Sequence, residues 1–388
     1  MTGKADVVII GGGVAGCSTA CYLAREGVTS LVIERDGIGS QASGVAAGML
    51  APLAEATAPG PAFDLAYRSL RLHPEQARQL REETGVDVLY AEQPILRVAF
   101  TEDEERHLLE QVAWQQRVEP SRGPGARVAV AWVRGDDLPR LEPRMARGAR
   151  GAILSTYEGQ VDAYRLVVAF AEAATRRGAT IRNGSVVGVR RDGDRMTGVV
   201  LATGEVVEGG KYLFAMGPWA SHGGAWLGIP VPVEPLRGQL VKLKPAPDTA
   251  PRHTLFHGGN YVMAKVDGSV LAGTTEERVG FEVRVTSEGR AACATAVHRL
   301  APALEGAEVM EYRAGLRPVS GDGLPLLGAV PGWSNVYMAA GYGRKGILLS
   351  AVTGQSMAAL IAHGRSPVSL EPFAAGRFLT ADTQTVRS

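Results

Sequence analysis

Residues 6–34 constrain this chain more than any other stretch. Asp6-Val7-Val8-Ile9-Ile10 is a short apolar run of strand-favouring residues that leads straight into Gly11-Gly12-Gly13-Val14-Ala15-Gly16. A helical pattern from Val14 to Glu26 follows and stops at Gly27. A second apolar run, Ser30-Leu31-Val32-Ile33, ends on Glu34. Strand, G-x-G-x-x-G turn, helix, strand and acid, in that order, make a dinucleotide-binding unit. The three glycines of the motif do different things. Gly11 makes the tight turn, Gly13 lets the backbone approach a pyrophosphate, and Gly16 lets the helix pack closely on the strand. The pyrophosphate belongs at the helix start, where free N–H groups and the helix dipole favour negative charge. Glu34, 23 residues after Gly11, stands where a carboxylate accepts hydrogen bonds from a ribose and disfavours the extra phosphate of NADP.

The chain has 388 residues, enough for two or three domains' worth of core. A net charge of +1 gives no electrostatic reason to expect a nucleic-acid or membrane partner. Cys17 and Cys21 lie one helical turn apart and suit small buried residues better than a disulfide or metal site. With Cys293 they make three cysteines, and a reducing cytoplasm is the simplest compartment. Val7–Ala24 and Gly346–His363 lack charge over nearly a membrane span, but glycines and polar residues break both. No signal peptide is expected, because the apolar N-terminal run is the nucleotide motif itself.

After Glu34 comes a long run of small and hydroxyl-bearing residues, Arg35 to Pro52, suited to a loop passing beside a cofactor. Phe63–Glu83 reads as an amphipathic helix stopping at Gly85, and Leu96–Phe100 as a strand. Thr101 and Glu104 form a capping box for a helix reaching about Val118. The Arg-, Gly- and Pro-rich residues 119–150 read as a solvated face. Asp162 is the expected N-cap of a helix Ala163–Arg177, closed by Gly178. Strands are expected at Thr180–Ile181, Val186–Arg190, Met196–Leu201 and Lys211–Ala215, the middle pair joined through Asp192-Gly193. Residues 231–285 are strand-rich with a turn at Asp267-Gly268, a helix covers Ser287–Leu300, and a final helix covers Gly346–His363. Residues 366–388 show little periodicity.

Taken together, Val7–Gly16, Gly39–Pro52, Glu158–Asp162, Ala215–Trp219, Gly315–Pro318 and Gly341–Leu349 resemble the glycine oxidase and D-amino-acid oxidase family of flavoproteins, most closely its thiamine-pathway glycine oxidases. The resemblance implies an α/β fold: a Rossmann-like FAD-binding domain with a doubly wound, mainly parallel sheet, and an interleaved strand-rich α+β substrate domain. The FAD-binding parts are expected at 1–85, 150–225 and 315–365, the substrate-binding parts at 86–149 and 226–314, and a tail at 366–388. It also implies non-covalent FAD, since no Cys or His stands where sarcosine oxidase relatives attach their flavin. Besides the glycine turn and Glu34, the implied FAD-binding positions are Arg35, Ser40, Ser43, Gly48, Met49 near the flavin ring, Val186 near the adenine, Gly217, Gly343, Arg344, Lys345, Gly346 and Ile347. Tyr261 and Arg317 correspond to the residues that hold the substrate carboxylate, and Arg344 to a second arginine at the ring. No metal is implied. The implied partners are a small amino acid and molecular oxygen, and the implied assembly is a homotetramer.

The residues support these roles on their own terms. Arg317 sits in Gly-Leu-Arg-Pro with no helical face to solvate it, so a bidentate carboxylate partner suits it; the alternative is a structural Asp or Glu. For Tyr261 the alternative is ordinary strand packing. Arg344-Lys345 at a helix start is unfavourable on dipole grounds unless negative charge lies nearby, as on a reduced flavin. Two departures bear on cavity shape: Gly343 stands where the relatives carry an aromatic residue, and Lys345 where they carry Asn. The reaction expected is oxidation of glycine, an N-alkylglycine or a small D-amino acid, with hydrogen peroxide as the reduced product. None of these motifs supplies a general base. The rival readings are a D-amino-acid dehydrogenase passing electrons to a quinone, and a non-catalytic FAD-binding protein.

Overall fold

A computed structural model describes residues 4–118 and 130–379. The strand Ala5–Ile10 is the centre of a six-stranded sheet. In spatial order its members are Leu326–Ala329, Val336–Ala340, Gly209–Phe214, Ala5–Ile10, Ser30–Glu34 and Thr180–Asn183. All neighbouring pairs are parallel except the edge strand Leu326–Ala329, which runs antiparallel to Val336–Ala340. Strand alternation sorts the apolar run of Ala5–Ile10 onto two faces. Val7 and Ile9 face the helices Val14–Arg25, Pro61–Thr84, Ala163–Arg176 and Gly346–His363. Val8 and Ile10 face a three-stranded antiparallel layer, Val186–Asp192, Arg195–Leu201 and Val206–Val207. The fold is α/β with a Rossmann-like unit and a further strand-rich part.

The second large sheet has eight strands: Glu308–Ser320, Val233–Lys244, Val270–Gly273, Asn260–Ala264, Thr254–His257, Ile95–Ala99, Gly151–Ser155 and Val130–Arg134. It is antiparallel throughout except where Thr254–His257 runs parallel to Ile95–Ala99. Its two faces divide by the same alternation. Val262, Val270 and Ala272 pack with the helix Ser287–Leu300. Tyr261, Met263 and Leu271 turn the other way, toward Ala51 and Ala54.

Local signals set most element ends. Thr101 and Glu104 do form a reciprocal capping box, with Glu104 N donating to Thr101 Oγ1 at 3.3 Å and Thr101 N to Glu104 Oε2 at 3.1 Å. Asp162 accepts from Arg165 N at 2.8 Å and starts the helix Ala163–Arg176. Two expectations are corrected. The residues between Arg35 and Pro52 are not one loop: they contain a short helix Ala42–Val45 and a strand Met49–Leu50. Val130–Arg134, read as part of a solvated basic face, is a strand; residues 119–129 of that stretch lie outside the described residues. Gly151–Ser155 and Gly315 to Ser320 pair in the eight-stranded sheet. Residues 380–388 of the expected tail also lie outside the described residues.

The helix Gly346–His363 is, among the described residues, the one long and apolar enough to cross a membrane, yet 67% of it is buried inside the protein. It is a core helix, and its lack of charge reflects its packing against Val14–Arg25 and Pro61–Thr84.

Candidate active site

The glycine turn builds the floor of a long trough. Gly11 has φ +111, and a Cβ there would overlap the carbonyl of Ala215. Gly16 lies behind the turn, where a Cβ would overlap the carbonyl of Gly11, so its role is close packing of helix on strand. Ser43 Oγ accepts from Val14 N at 3.0 Å and ties the small-residue segment to the first helix. The N–H groups of Gly13 and Ala15 have no hydrogen-bond partner among the described residues. Glu34 turns back on the turn: Oε2 accepts from Gly12 N at 2.7 Å and Oε1 from Asp36 N at 2.9 Å.

Two cavities meet over this floor. One, of about 680 Å³ including its open mouth, is lined by Gly11, Glu34, Arg35, Val186 and Trp219 among others. The other, of about 1070 Å³, is lined by Val14, Ala15, Gly48, Met49, Tyr261, Arg317, Gly343, Arg344, Gly346 and Ile347 among others. They share Gly13, Ala42, Ser43, Ala215 and Gly217, so the trough runs continuously from the acid to the arginines. Free N–H groups at its middle and a carboxylate at one end fit a dinucleotide lying along it. The remaining length ends in a compartment walled by the eight-stranded sheet.

Arg317 lies on the edge strand Glu308–Ser320. Its Nη2 donates to Thr274 Oγ1 at 2.7 Å and its Nη1 to the carbonyl of Thr275 at 3.0 Å. Both acceptors are neutral, and no acidic side chain pairs with it among the described residues. Burial lowers its pKa from the ordinary arginine value and Arg344 adds to this, while Tyr261, Glu276 and Glu55 oppose it. Gly238, on the adjacent strand, leaves the space the guanidinium occupies. Tyr261 is buried, and its hydroxyl is pushed up to about 12, chiefly by burial, with Arg317 and Arg344 pulling it down.

Arg344 reaches the same compartment with its charge partly committed. Nη2 donates to the carbonyl of Gly259 at 2.9 Å, Nη1 lies 3.3 Å from Glu276, and Nε lies 3.8 Å from Glu55. The long helix opens here with Gly346 and Ile347 on the cavity wall. Gly343 has φ +54 and nothing within 4 Å of a built Cβ, so its place is open space.

Two expected positions do not join the trough. Ser40 is exposed and lines a separate cavity behind the small-residue segment, together with Lys265. Lys345 caps the long helix and is absent from the trough wall. Four residues that sequence reasoning missed belong to the site: Gly238, Thr274, Glu55 and Trp219. Trp219 carries the Arg35 guanidinium 4.4 Å above its ring. Lys265, from behind, fastens the segment by donating to the carbonyls of Ala47 and Val161, each at 2.9 Å; burial lowers its pKa to about 8.

The family described as FAD dependent oxidoreductase matches residues 6–360. Glycine oxidase of Geobacillus kaustophilus is 34% identical over 98% of each chain. The crystal structure of glycine oxidase from that organism superposes with a TM-score of 0.90 at 33% identity, covering 97% of this chain and 99% of the other. Hydrogen cyanide synthase subunit HcnC of Pseudomonas aeruginosa is 31% identical over 96% of each chain.

Proposed function

This chain belongs to the FAD-dependent oxidoreductase family, and we propose that it oxidises glycine, N-alkylglycines or small D-amino acids with oxygen as the final acceptor. The observation that carries the reading is Arg317: a half-buried guanidinium held by neutral acceptors beside the Tyr261 hydroxyl, in the compartment that continues the dinucleotide trough. A partly desolvated guanidinium without an acidic partner calls for an anionic ligand, and a planar carboxylate fits its fork.

Bound FAD supplies the two-electron acceptor for the α-hydrogen. The chain's own contribution is placement. Arg317 and Tyr261 hold the carboxylate, and because Tyr261 titrates only near pH 12 its hydroxyl stays a donor throughout the working range. The amine must be neutral for its lone pair to assist loss of the α-hydrogen. The imine hydrolyses in water to an oxo acid and ammonia or an alkylamine, and oxygen leaves as hydrogen peroxide. Arg344 and the start of the long helix set positive potential against the compartment. Among the described residues no Cys or His lines either part of the trough, which supports FAD held without a covalent bond.

An oxygen-electrode screen of glycine, sarcosine and D-alanine tests the reading. Oxygen uptake with at least one of them is expected. Substrate-dependent reduction of a quinone analogue without oxygen uptake would move the acceptor from oxygen to a quinone, and no turnover with either acceptor would refute the proposed oxidation.

A further inference from the structure

Glu55 ends the short helix Pro52–Glu55 and lines the same compartment as Tyr261 and Arg317. Its side chain is only 14% exposed, and its carboxylate makes no hydrogen bond among the described residues. The nearest cation is Arg344 Nε at 3.8 Å, and Arg344 spends its other nitrogens on Gly259 and Glu276. Arg97, whose charge also interacts with Glu55, donates instead to the Ala54 carbonyl at 3.1 Å and to Gln111 Oε1 at 2.5 Å. Glu55 is therefore an enclosed anion surrounded by guanidiniums, none of which closes on it. A mostly desolvated carboxylate without a donor is costly, and a ligand that supplies one relieves that cost.

We propose that Glu55 receives the substrate's ammonium group on binding, before that group gives up the proton that frees its lone pair, while Arg317 and Tyr261 hold the carboxylate. This rests on the amino-acid reading above and makes it specific: the compartment selects a zwitterion, in which a positive group lies one carbon from a carboxylate. The charge of Glu55 acts on both Tyr261 and Arg317, so the two recognition elements belong to one small space. The plainer alternative is that Glu55 merely balances Arg97, Arg317 and Arg344. Removing the charge separates the two. Loss of a receptor for nitrogen weakens only amines, whereas loss of a structural counter-charge disturbs every carboxylate ligand alike.

The test uses holoenzyme of wild type, Glu55→Gln and Glu55→Asp at equal FAD content. Glycine is mixed anaerobically with each, giving a dissociation constant and a limiting rate of flavin reduction separately. Acetate, which has the carboxylate and no nitrogen, is titrated by its perturbation of the flavin absorbance. In Glu55→Gln the glycine dissociation constant should rise about tenfold to a hundredfold, the loss of one charge-assisted hydrogen bond. Acetate should bind unchanged or tighter, and Glu55→Asp should recover part of the glycine affinity. Equal weakening of glycine and acetate, or no change in either, overturns the assignment. If glycine fails to reduce the wild-type flavin, the proposed oxidation fails for that amine, and the equilibrium perturbation by glycine still reads the role of Glu55.

Discussion

Gly238 and Arg317 share one volume: a Cβ on Gly238 would overlap the guanidinium that lies across it. Gly238 faces Gly315 in the register of the two strands, and Arg317 faces Leu236, so the arginine leans diagonally over its neighbour. A side chain as small as alanine at 238 must therefore push the guanidinium away from Thr274 and Thr275. Gly238→Ala is expected to keep the fold and FAD content while raising the KM for an amino-acid substrate. It should act in the same direction as Arg317→Ala, for which loss of a buried charged partner costs roughly 2–5 kcal/mol, or about 30- to 4,000-fold. Tyr261→Phe removes one hydrogen bond and should cost about 1 kcal/mol, or about fivefold. Steady-state kinetics of the three variants at matched FAD occupancy check this ordering, and a Gly238→Ala enzyme with wild-type KM would contradict the shared-volume packing.

The open space at Gly343 predicts a range of substrates wider than glycine. Its φ of +54 strains any L-residue by roughly 1–2 kcal/mol, so bulk and strain must be separated. Asn tolerates this backbone and adds little volume, whereas Phe adds both. Gly343→Phe should lose turnover of D-alanine and larger substrates relative to glycine, and Gly343→Asn should lose much less. Unchanged selectivity in Gly343→Phe would show that the side chain does not enter the compartment.

Much of this was legible along the chain because the deciding contacts are local. The turn at Gly11 to Gly16 is written in its own glycines, although the carbonyl of Ala215 also closes on Gly11, and the Thr101–Glu104 and Asp162 caps are set within four residues. The helix Ser287–Leu300 was legible too, even though its cap, Thr286 Oγ1 accepting from Gly289 N at 3.1 Å, was not anticipated. What stayed hidden is set across the sheet. Val130–Arg134 becomes a strand by pairing with Gly151–Ser155, within a stretch whose arginines, glycines and prolines read as a solvated face. Thr274 and Gly238 matter only because the strands bring them against Arg317. Ser40 matched its motif position yet faces away, because the backbone turns within Gly39–Gly44.

A pH dependence of stability follows from His73. Its ring is fully buried, its Nε2 lies 2.8 Å from the carbonyl of Leu348, and burial lowers its pKa from 6.5 to about 4. The folded state therefore keeps it neutral where the unfolded state takes up a proton. Stability is undiminished above pH 6.5 and falls as pH drops from there toward 4, by up to about 3 kcal/mol from this group. Urea unfolding at pH 7 and pH 4.5 should show that loss in the wild type and a smaller one in His73→Gln. An equal loss in both would assign the acid sensitivity elsewhere.

In the reading proposed above, one compartment presents a small amino acid, held by its carboxylate, to FAD bound in the trough. Anaerobic mixing of the purified yellow protein with glycine, D-alanine and L-alanine, followed by admission of air, tests this in a single measurement. Bleaching of the flavin absorbance by glycine or D-alanine is expected, with L-alanine ineffective. Air should restore the colour and form one hydrogen peroxide per flavin, and acid should then release the FAD into the supernatant. Bound FAD that none of the three bleaches, or that L-alanine bleaches faster than D-alanine, would contradict the proposed presentation of substrate to flavin.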